Sequence, residues 1–411
     1  MNIAYTIWIE WLDSPILKSQ VIELLKAAKK ISPNDHFFLF AFQPIYTTIF
    51  RRKKLREINK NLKNSNIRLI IIPSLMPPII NLFNVKWYML PIIFLQTFPT
   101  ILTLVIINKI DILHCRSYPI MLATIAIKKV MKKSKVVFDP RSPFPEESII
   151  GGRWTEKSIS HKVWKILERI FLDHSDVTIA ITDTYVKHFK KMSSSANFET
   201  VPNNVDTTKF SFDQNHRSAL RSRMGIKDNE IIFVYLGSLG KHWNNPIVYA
   251  KFLIHLRELD INHRFLFITP NILELNKVFN KYNIGTHEYC AVFANPSDVP
   301  KYLSMADVGL NFMAKQDIRM SIKTCEYLAM GLPVIVNSNV MGAKEIIEQY
   351  HVGLVLEDLS NINLEDIKEI VLKKMQLSVK CRKVAYENFS TTEIAKRYVK
   401  IYKLLDQEDQ T

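Results

Sequence analysis

No G-x-G-x-x-G follows the first strand-like run of this chain, which argues against a dinucleotide-binding dehydrogenase. No D-x-D occurs, and no His, Cys or acidic residues stand at metal-ligand spacing, so no metal or other cofactor is expected. Cysteine is sparse: Cys115, Cys290, Cys325 and Cys381 are scattered, without a C-x-x-C or a histidine partner. They read as buried, reduced thiols of a cytosolic protein. The opening MNIAYTIWIEWLD has neither a basic n-region nor a cleavage site, so it reads as a first strand and not as a signal peptide. No helix-turn-helix, RNP-like or zinc-finger pattern is present, so nucleic acid is not an expected partner. Low-complexity segments, and repeats beyond two similar halves, are also missing.

What is present describes an ordinary folded protein. The 411 residues are 47% hydrophobic and 23% charged, enough chain for two domains with separate cores. The formal net charge is +16, and much of the excess lies in the first half. It is concentrated at Arg51, Arg52, Lys53 and Lys54, and again at Lys128, Lys129, Lys132, Lys133 and Lys135. Such runs fit solvated helix faces. They also fit attraction to anionic lipid headgroups, worth about 1 kcal/mol per charge near the surface.

Strand-like and helical periodicities alternate along the chain. Residues 2–9, 36–42 and 67–72 read as strands, with an amphipathic helix over 17–31. Further strands are expected at 111–115, 135–139 and 176–181, the last closing the first sheet, with a helix over 156–173. This alternation implies parallel βαβ units and a doubly wound sheet. Ligands of such sheets gather at the carboxyl ends of the strands, which assigns the polar segment 10–20, including Ser19, to the cleft.

Residues 87–108 carry no charge and reach the minimum length of a membrane span. Pro91 and Pro99 interrupt them, and Lys109-Ile110-Asp111 then leads directly into a strand. A crossover helix between two strands of one sheet cannot also cross a bilayer. The expectation is therefore an apolar crossover helix that dips into a membrane, with Trp87 and Tyr88 as interfacial residues. A fully buried helix and a true span are the alternatives.

The densest signal lies at 306–357. Three short apolar runs there (308–313, 332–336 and 352–356) read as buried strands. A helix over 321–330, stopped by Gly331 and Pro333, lies between the first two. Its free N–H groups, at the carboxyl end of a strand, make an anion site. Lys323 and Glu326, three apart, share one face of it. A cation, a carboxylate and an anion site together suit a nucleotide sugar, which offers both phosphates and hydroxyls.

S-I-K-T-C-E-Y-L-A-M-G-L-P-V-I over 321–335 resembles the donor-binding signature of the retaining glycosyltransferases of family four, which have the GT-B fold. The resemblance implies that Glu326 holds the ribose hydroxyls of the nucleotide. It places Lys323 by the ribose and diphosphate, with Arg319 and Thr324 beside it. The family usually carries an earlier Glu eight residues before this one. Here that position is Ile318, flanked by Asp317 and Arg319, so no carboxylate is assigned to the donor sugar.

Other segments extend the likeness. Y-L-G-S-L-G-K over 235–241 resembles the family loop under the donor phosphates, and implies donor roles for Gly237, Ser238, Leu239 and Lys241. V-P-N-N-V-D-T-T-K-F over 201–210 resembles the family's interdomain linker, with the boundary near 208–214. D-I-L-H-C-R-S and D-P-R-S-P-F-P-E-E resemble segments of a branch that builds bacterial surface polysaccharides. In that branch they face the acceptor and the transferred sugar. The match implies catalytic roles for Arg116, Asp139 and Arg141, and acceptor-side roles for His114, Glu146 and Glu147. An internal salt-bridge cluster of Arg116, Asp139 and Arg141 is also compatible with these residues.

The expectation is thus an α/β protein of GT-B type, two Rossmann-like doubly wound domains facing each other across a cleft. Residues 1–208 form the acceptor side, 209–390 bind the nucleotide sugar, and 391–411 pack back towards the N-terminal domain. Cleaving a sugar–diphosphate bond builds negative charge on the leaving phosphate, which fixed donors can stabilise. Lys241, Lys323, Arg319, the glycine-loop amides and a helix N-terminus are the expected donors, so transfer is expected to be metal-independent. The resemblance adds retention of configuration. The acceptor is expected to be a saccharide, lipid-linked, in lipopolysaccharide or capsule synthesis at the cytoplasmic face of an anionic membrane. A nucleotide-sugar 2-epimerase of the same fold is an alternative, although it needs a different set of carboxylates. A non-catalytic partner subunit is another, opposed by the intact Lys323, Glu326 and Gly237.

Overall fold

The computed structural model describes residues 1–76, 85–240, 243–359 and 361–407. The chain divides into two compact units, Met1–Pro202 with Thr391–Thr411, and Asn203–Ser390. The division falls after Pro202, ahead of the expected boundary at 208. The cause is local: the Asn203 side-chain amide donates to the Met320 carbonyl at 2.7 Å, and Val205 bridges to Ser390.

The described residues of the first unit form seven parallel strands: β1 (Asn2–Trp8), β2 (His36–Pro44), β3 (Ile67–Ser74), β4 (Ile112–Arg116), β5 (Lys135–Asp139), β6 (Val177–Ala180) and β7 (Phe198–Thr200). Their order is β3-β2-β1-β4-β5-β6-β7. β1 and β2 pair from Asn2↔His36 to Trp8↔Phe42, and their near-continuous apolar runs suit strands covered on both faces. The sheet does not end at β6, as expected from the sequence. Phe198–Thr200 adds an edge strand on β6, and three residues are too few to show a period of two. The expected helix over 17–31 is also interrupted. A π-helical turn, Lys18–Ile22, separates Pro15–Leu17 from Glu23–Ile31.

Leu90–Asn108 is a helix, preceded by a 3-10 turn at Trp87–Met89. Only Ile93, Thr97, Ile101 and Val105 are buried, one stripe at four-residue spacing. Ile92, Leu95, Ile106 and Ile107 are exposed, which overturns the fully buried alternative. By length and composition alone the stretch Trp87–Asn108 is able to cross a membrane.

The described residues of the second unit form six parallel strands: β8 (Ile231–Leu236), β9 (His263–Ile268), β10 (Tyr289–Val292), β11 (Val308–Asn311), β12 (Val334–Asn337) and β13 (Gly353–Leu356). Their order is β10-β9-β8-β11-β12-β13. The helix Ile322–Ala329 lies between β11 and β12 and stops where expected. Gly331, at φ +78°, takes the left-handed turn, and Leu332 donates back to the Tyr327 carbonyl at 2.9 Å. Strand order reverses between β1 and β4 in one unit and between β8 and β11 in the other. Those two crevices are where doubly wound sheets bind ligands.

Candidate functional site

In the second unit, β8 leads directly into the loop at Gly237, beside the reversal point. Tyr327, from the K-T-C-E-Y run, accepts a hydrogen bond from the Leu236 amide at 2.7 Å. This contact sets the helix Ile322–Ala329 against the end of β8. Gly237 has φ +131°, a conformation that L side chains rarely adopt. A β-carbon there would lie 3.5 Å from the Lys323 ammonium. Lys323 sits over the Tyr235 ring at 4.5 Å and donates to Asn244 Oδ1 at 3.2 Å. Burial pushes its ammonium down to about 7, against Glu326 and Asp317, which favour the charged form.

Burial also raises Glu326, to about 7, with Lys209 and Lys323 opposing the rise. Among the described residues its carboxylate has no hydrogen-bond or ion-pair partner within the unit. A half-buried acid without a partner and a half-buried, depressed lysine one helical turn apart form a site set for a ligand. Asn311, at the end of β11, orients the helix start by donating to Ser321 Oγ at 2.9 Å and Thr324 Oγ1 at 3.2 Å.

Several expected donor-side groups are committed elsewhere. The Gly237 amide donates to Ile268 O, the Leu239 amide to Asn271 Oδ1, and the Gly240 amide to Asn244 O. The glycine-loop amides therefore do not form an open phosphate cradle. Among the described residues of that loop only the Ser238 amide has no acceptor in the protein. Thr324 is fully buried and its hydroxyl is held by Asn311, so it shapes the helix start from inside. Arg319 forms a two-pronged pair with Asp317, at 2.9 and 2.7 Å, and stacks on Trp243 at 4.6 Å. Lys241 lies outside the described residues.

In the first unit, the polar groups gather at the carboxyl ends of β1, β4 and β5. Arg116 Nε donates to both Glu10 oxygens at 3.0 Å, and its NH1 is buried without an acceptor. Arg116 thus pairs with Glu10 and not, as the salt-bridge reading had it, with Asp139. Arg141 lies 3.5 Å from Asp139 and donates to Tyr398 at 3.2 Å and to Gln20 at 3.4 Å. Gln20 belongs to the π-helical turn, an irregularity common at functional sites.

Asp139 and His114 are both fully buried. Asp139 accepts from Tyr398 at 2.9 Å and lies 3.2 Å from His114 Nε2. The neighbouring Arg141 and His114 hold the Asp139 carboxyl well below the usual range, against the opposing and larger effect of its burial. An ionised carboxylate only accepts, so His114 Nε2 carries the proton. Burial lowers the imidazole's pKa and keeps it neutral, so Nδ1 accepts from Tyr402 at 2.8 Å. His114 therefore has both nitrogens engaged inside the fold, and the expectation that it faces an acceptor is corrected. Asp139 positions Arg141.

Glu146 is also drawn inward. It accepts from Lys165 at 2.6 Å, with His188 at 3.5 Å, and these neighbours hold it down to about 2 against the larger upward effect of its burial. Lys165 also binds the buried Glu168, which accepts from Tyr118. Glu147 accepts from Ser142 at 2.5 Å, and Ser19 donates to Ile16 O at 3.2 Å. Ile9, Ser117 and Arg141 follow β1, β4 and β5 with φ of +55°, +84° and +57°. Non-glycine residues in that region each cost about 1–3 kcal/mol, and such strain gathers at functional sites.

Sequence reasoning assigned the segment 10–20 to the cleft without giving Glu10 or Gln20 a role, and it missed Tyr398 and Tyr402 in this unit, and Tyr235, Asn244 and Asn311 in the other. The four-residue spacing of Tyr398 and Tyr402 on one helix was a signal, since it puts two hydroxyls on one face.

Comparison with known proteins matches residues 46–209 to the description Glycosyltransferase Family 4, and residues 303–393 to Glucosyltransferase 3-like, C-terminal domain. No curated protein matches the chain by sequence. In structure it is similar to sucrose-phosphate synthase from Thermosynechococcus elongatus (TM-score 0.73, 12% identity, 99% of each chain covered). It is also similar to HepE of Anabaena in complex with UDP (0.68, 12%, covering 98% of this chain and 100% of that one). A third likeness is WaaG, a glycosyltransferase involved in lipopolysaccharide biosynthesis (0.62, 12%, 97% and 99%). With two parallel doubly wound sheets the chain has the GT-B fold of these enzymes, and it is a glycosyltransferase whose residues 46–209 match family four and whose residues 303–393 match the glucosyltransferase 3-like C-terminal domain.

Proposed function

We propose that this glycosyltransferase takes its sugar from a nucleotide-sugar donor held by the second unit. The transfer retains configuration and uses fixed cationic donors in place of a metal. The observation that carries the reading is the placement of Lys323 and Glu326 on one turn beside Gly237. Lys323 and the N-terminus of the helix Ile322–Ala329 receive the diphosphate, while Glu326 accepts from the ribose hydroxyls. In transfer, the bond between the anomeric carbon and the phosphate oxygen breaks, and one joins that carbon to the acceptor oxygen. The acceptor proton passes to the leaving diphosphate, whose growing charge Lys323 stabilises. Arg116 and Arg141 bind the sugar or acceptor at the strand ends of the first unit. UDP in HepE supports a uridine nucleotide as the first donor to try.

The acceptor is a lipid-linked saccharide of surface-polysaccharide synthesis, met at the cytoplasmic face of the plasma membrane. The basic first half and the apolar helix Leu90–Asn108 support that location. Thermal shifts with a panel of UDP-, GDP- and CMP-sugars test the donor, because a ligand of the folded state alone raises Tm. One nucleotide is expected to raise Tm for the native protein and not for Glu326→Ala. Equal shifts in both would refute the donor assignment.

A further inference from the structure

Among the described residues, no segment covers one face of the helix Leu90–Asn108. Leu95 is 73% and Ile107 68% exposed, with Ile92, Ile106, Trp87 and Tyr88 beside them. At 19 residues the helix is about 28 Å long. Both its ends are tied to the first sheet and its neighbours. Trp164 Nε1 donates to Val85 O at 2.8 Å just before it, and the Asn2 side chain donates to Lys109 O at 2.8 Å just after. Its buried stripe rests on the protein side. A helix held in this way lies along a surface and does not pierce it.

A second apolar tip stands at the same edge of the sheet. Ile45–Phe50 follows β2 directly, with Phe50 80% and Ile49 61% exposed. Gln96, on the long helix, donates to Pro73 O at 2.8 Å, which brings that helix to the carboxyl end of β3, the neighbour of β2. Trp11, Tyr46 and Phe50 pack ring to ring, with Arg51 over Trp11 at 4.2 Å.

Charge identifies the occupant. From residue 58 to residue 138 Asp111 is the one acidic residue, and it already accepts from the Asn2 amide at 2.7 Å. Lys86 and Lys109 flank the apolar helix, and Arg52 and Lys53 follow Phe50, all of them exposed. Lys129, Lys132 and Lys133 lie at the end of the next helix, Tyr118–Val130, which packs along it. An apolar face bordered by exposed cations and almost free of acids fits the interface of an anionic bilayer.

We infer that the first unit docks on an anionic bilayer, with Leu90–Asn108 lying in the plane of the interface and Ile49–Phe50 as a second inserted point. The inference rests on the reading of a lipid-linked acceptor, and it specifies the surface that brings the enzyme to that acceptor.

Flotation with vesicles of equimolar phosphatidylglycerol and phosphatidylcholine tests it on the full chain. Wild type is expected to float at low salt, to be released by high salt or alkaline carbonate, and to ignore pure phosphatidylcholine. Ile92→Glu with Leu95→Glu, and separately Phe50→Glu, are expected to weaken partition by about tenfold or more. Leu273→Glu, at an exposed site in the second unit, is expected to leave it unchanged. No flotation of wild type at low salt, or equal partition of all three variants, would overturn the docking face. Resistance to carbonate would overturn the in-plane placement in favour of a span. Nucleotide binding is read on the same preparations: its loss with flotation intact sinks the donor reading alone, and the converse sinks docking alone.

Discussion

Donor binding should be coupled to protons, with opposite sign on the two sides of neutrality. In the free protein Lys323 titrates near 7, because burial disfavours its charge. A diphosphate needs the ammonium form, so binding pulls this pKa back towards an ordinary value of about 10.4. The difference of about three units corresponds to at most about 4 kcal/mol of coupling, less whatever water at the half-buried ammonium screens. Above pH 7 the free lysine is mostly neutral and the bound one is charged, so a proton is taken up. The dissociation constant should then rise with pH, by up to about tenfold per unit between pH 7.5 and 8.5. Glu326 behaves in the reverse sense. It also titrates near 7, and it must be ionised to accept from ribose hydroxyls, so below pH 7 binding releases a proton. Calorimetry in buffers of different ionisation enthalpy measures both quantities. Glu326→Gln should abolish the release at pH 6 and keep the uptake at pH 8.5. A pH-independent Kd with no buffer-dependent heat would refute the assignment of Lys323 to the diphosphate.

Three further outcomes follow from the same contacts. Asp139→Asn removes the charge that Arg141 and His114 share, and should destabilise the first unit by about 3–5 kcal/mol at neutral pH. The folded pKa of Asp139 is depressed, so its stabilisation is full above about pH 4 and fades as pH falls further. The deficit of the variant, measured by urea unfolding, should shrink with it, and a deficit that grows below pH 4 would oppose this. Tyr402→Phe leaves the buried His114 Nδ1 without a donor, for a loss of about 1–3 kcal/mol. Nucleotide affinity, which belongs to the other unit, should stay as it was; an unchanged unfolding midpoint would contradict the role of Tyr402. Gly237→Ala places a side chain at φ +131° and 3.5 Å from Lys323, adding about 1–3 kcal/mol of strain. Its Tm should drop and its nucleotide Kd should rise, whereas wild-type values for both would remove the need for glycine there.

The two sheets were legible because their central strands are long apolar runs separated by helical periods. The edge strand β7 was not, since three residues carry no pattern. The donor helix was legible from a local signature: a strand end, Lys323 and Glu326 three apart, then Gly331 and Pro333. Local sequence does not carry long-range hydrogen bonding, and the errors lie there. Nothing near Gly237 announces that its loop amides are taken by Ile268, Asn271 and Asn244. His114 looked like a cleft residue because it stands near a strand end. Its burial depends on Tyr398 and Tyr402, which come from the far end of the chain. Glu146 was expected on the acceptor side with Glu147, yet Lys165 and His188, on later helices, draw it inward.

Hydrogen exchange with and without the nucleotide sugar that gives the largest thermal shift tests the central claim most directly. The donor should slow exchange across residues 236–240 and 321–327 together, and Glu326→Ala should remove that protection at the same ligand concentration. Protection confined to other segments, with both of these unchanged, would contradict a donor site built on Lys323 and Glu326.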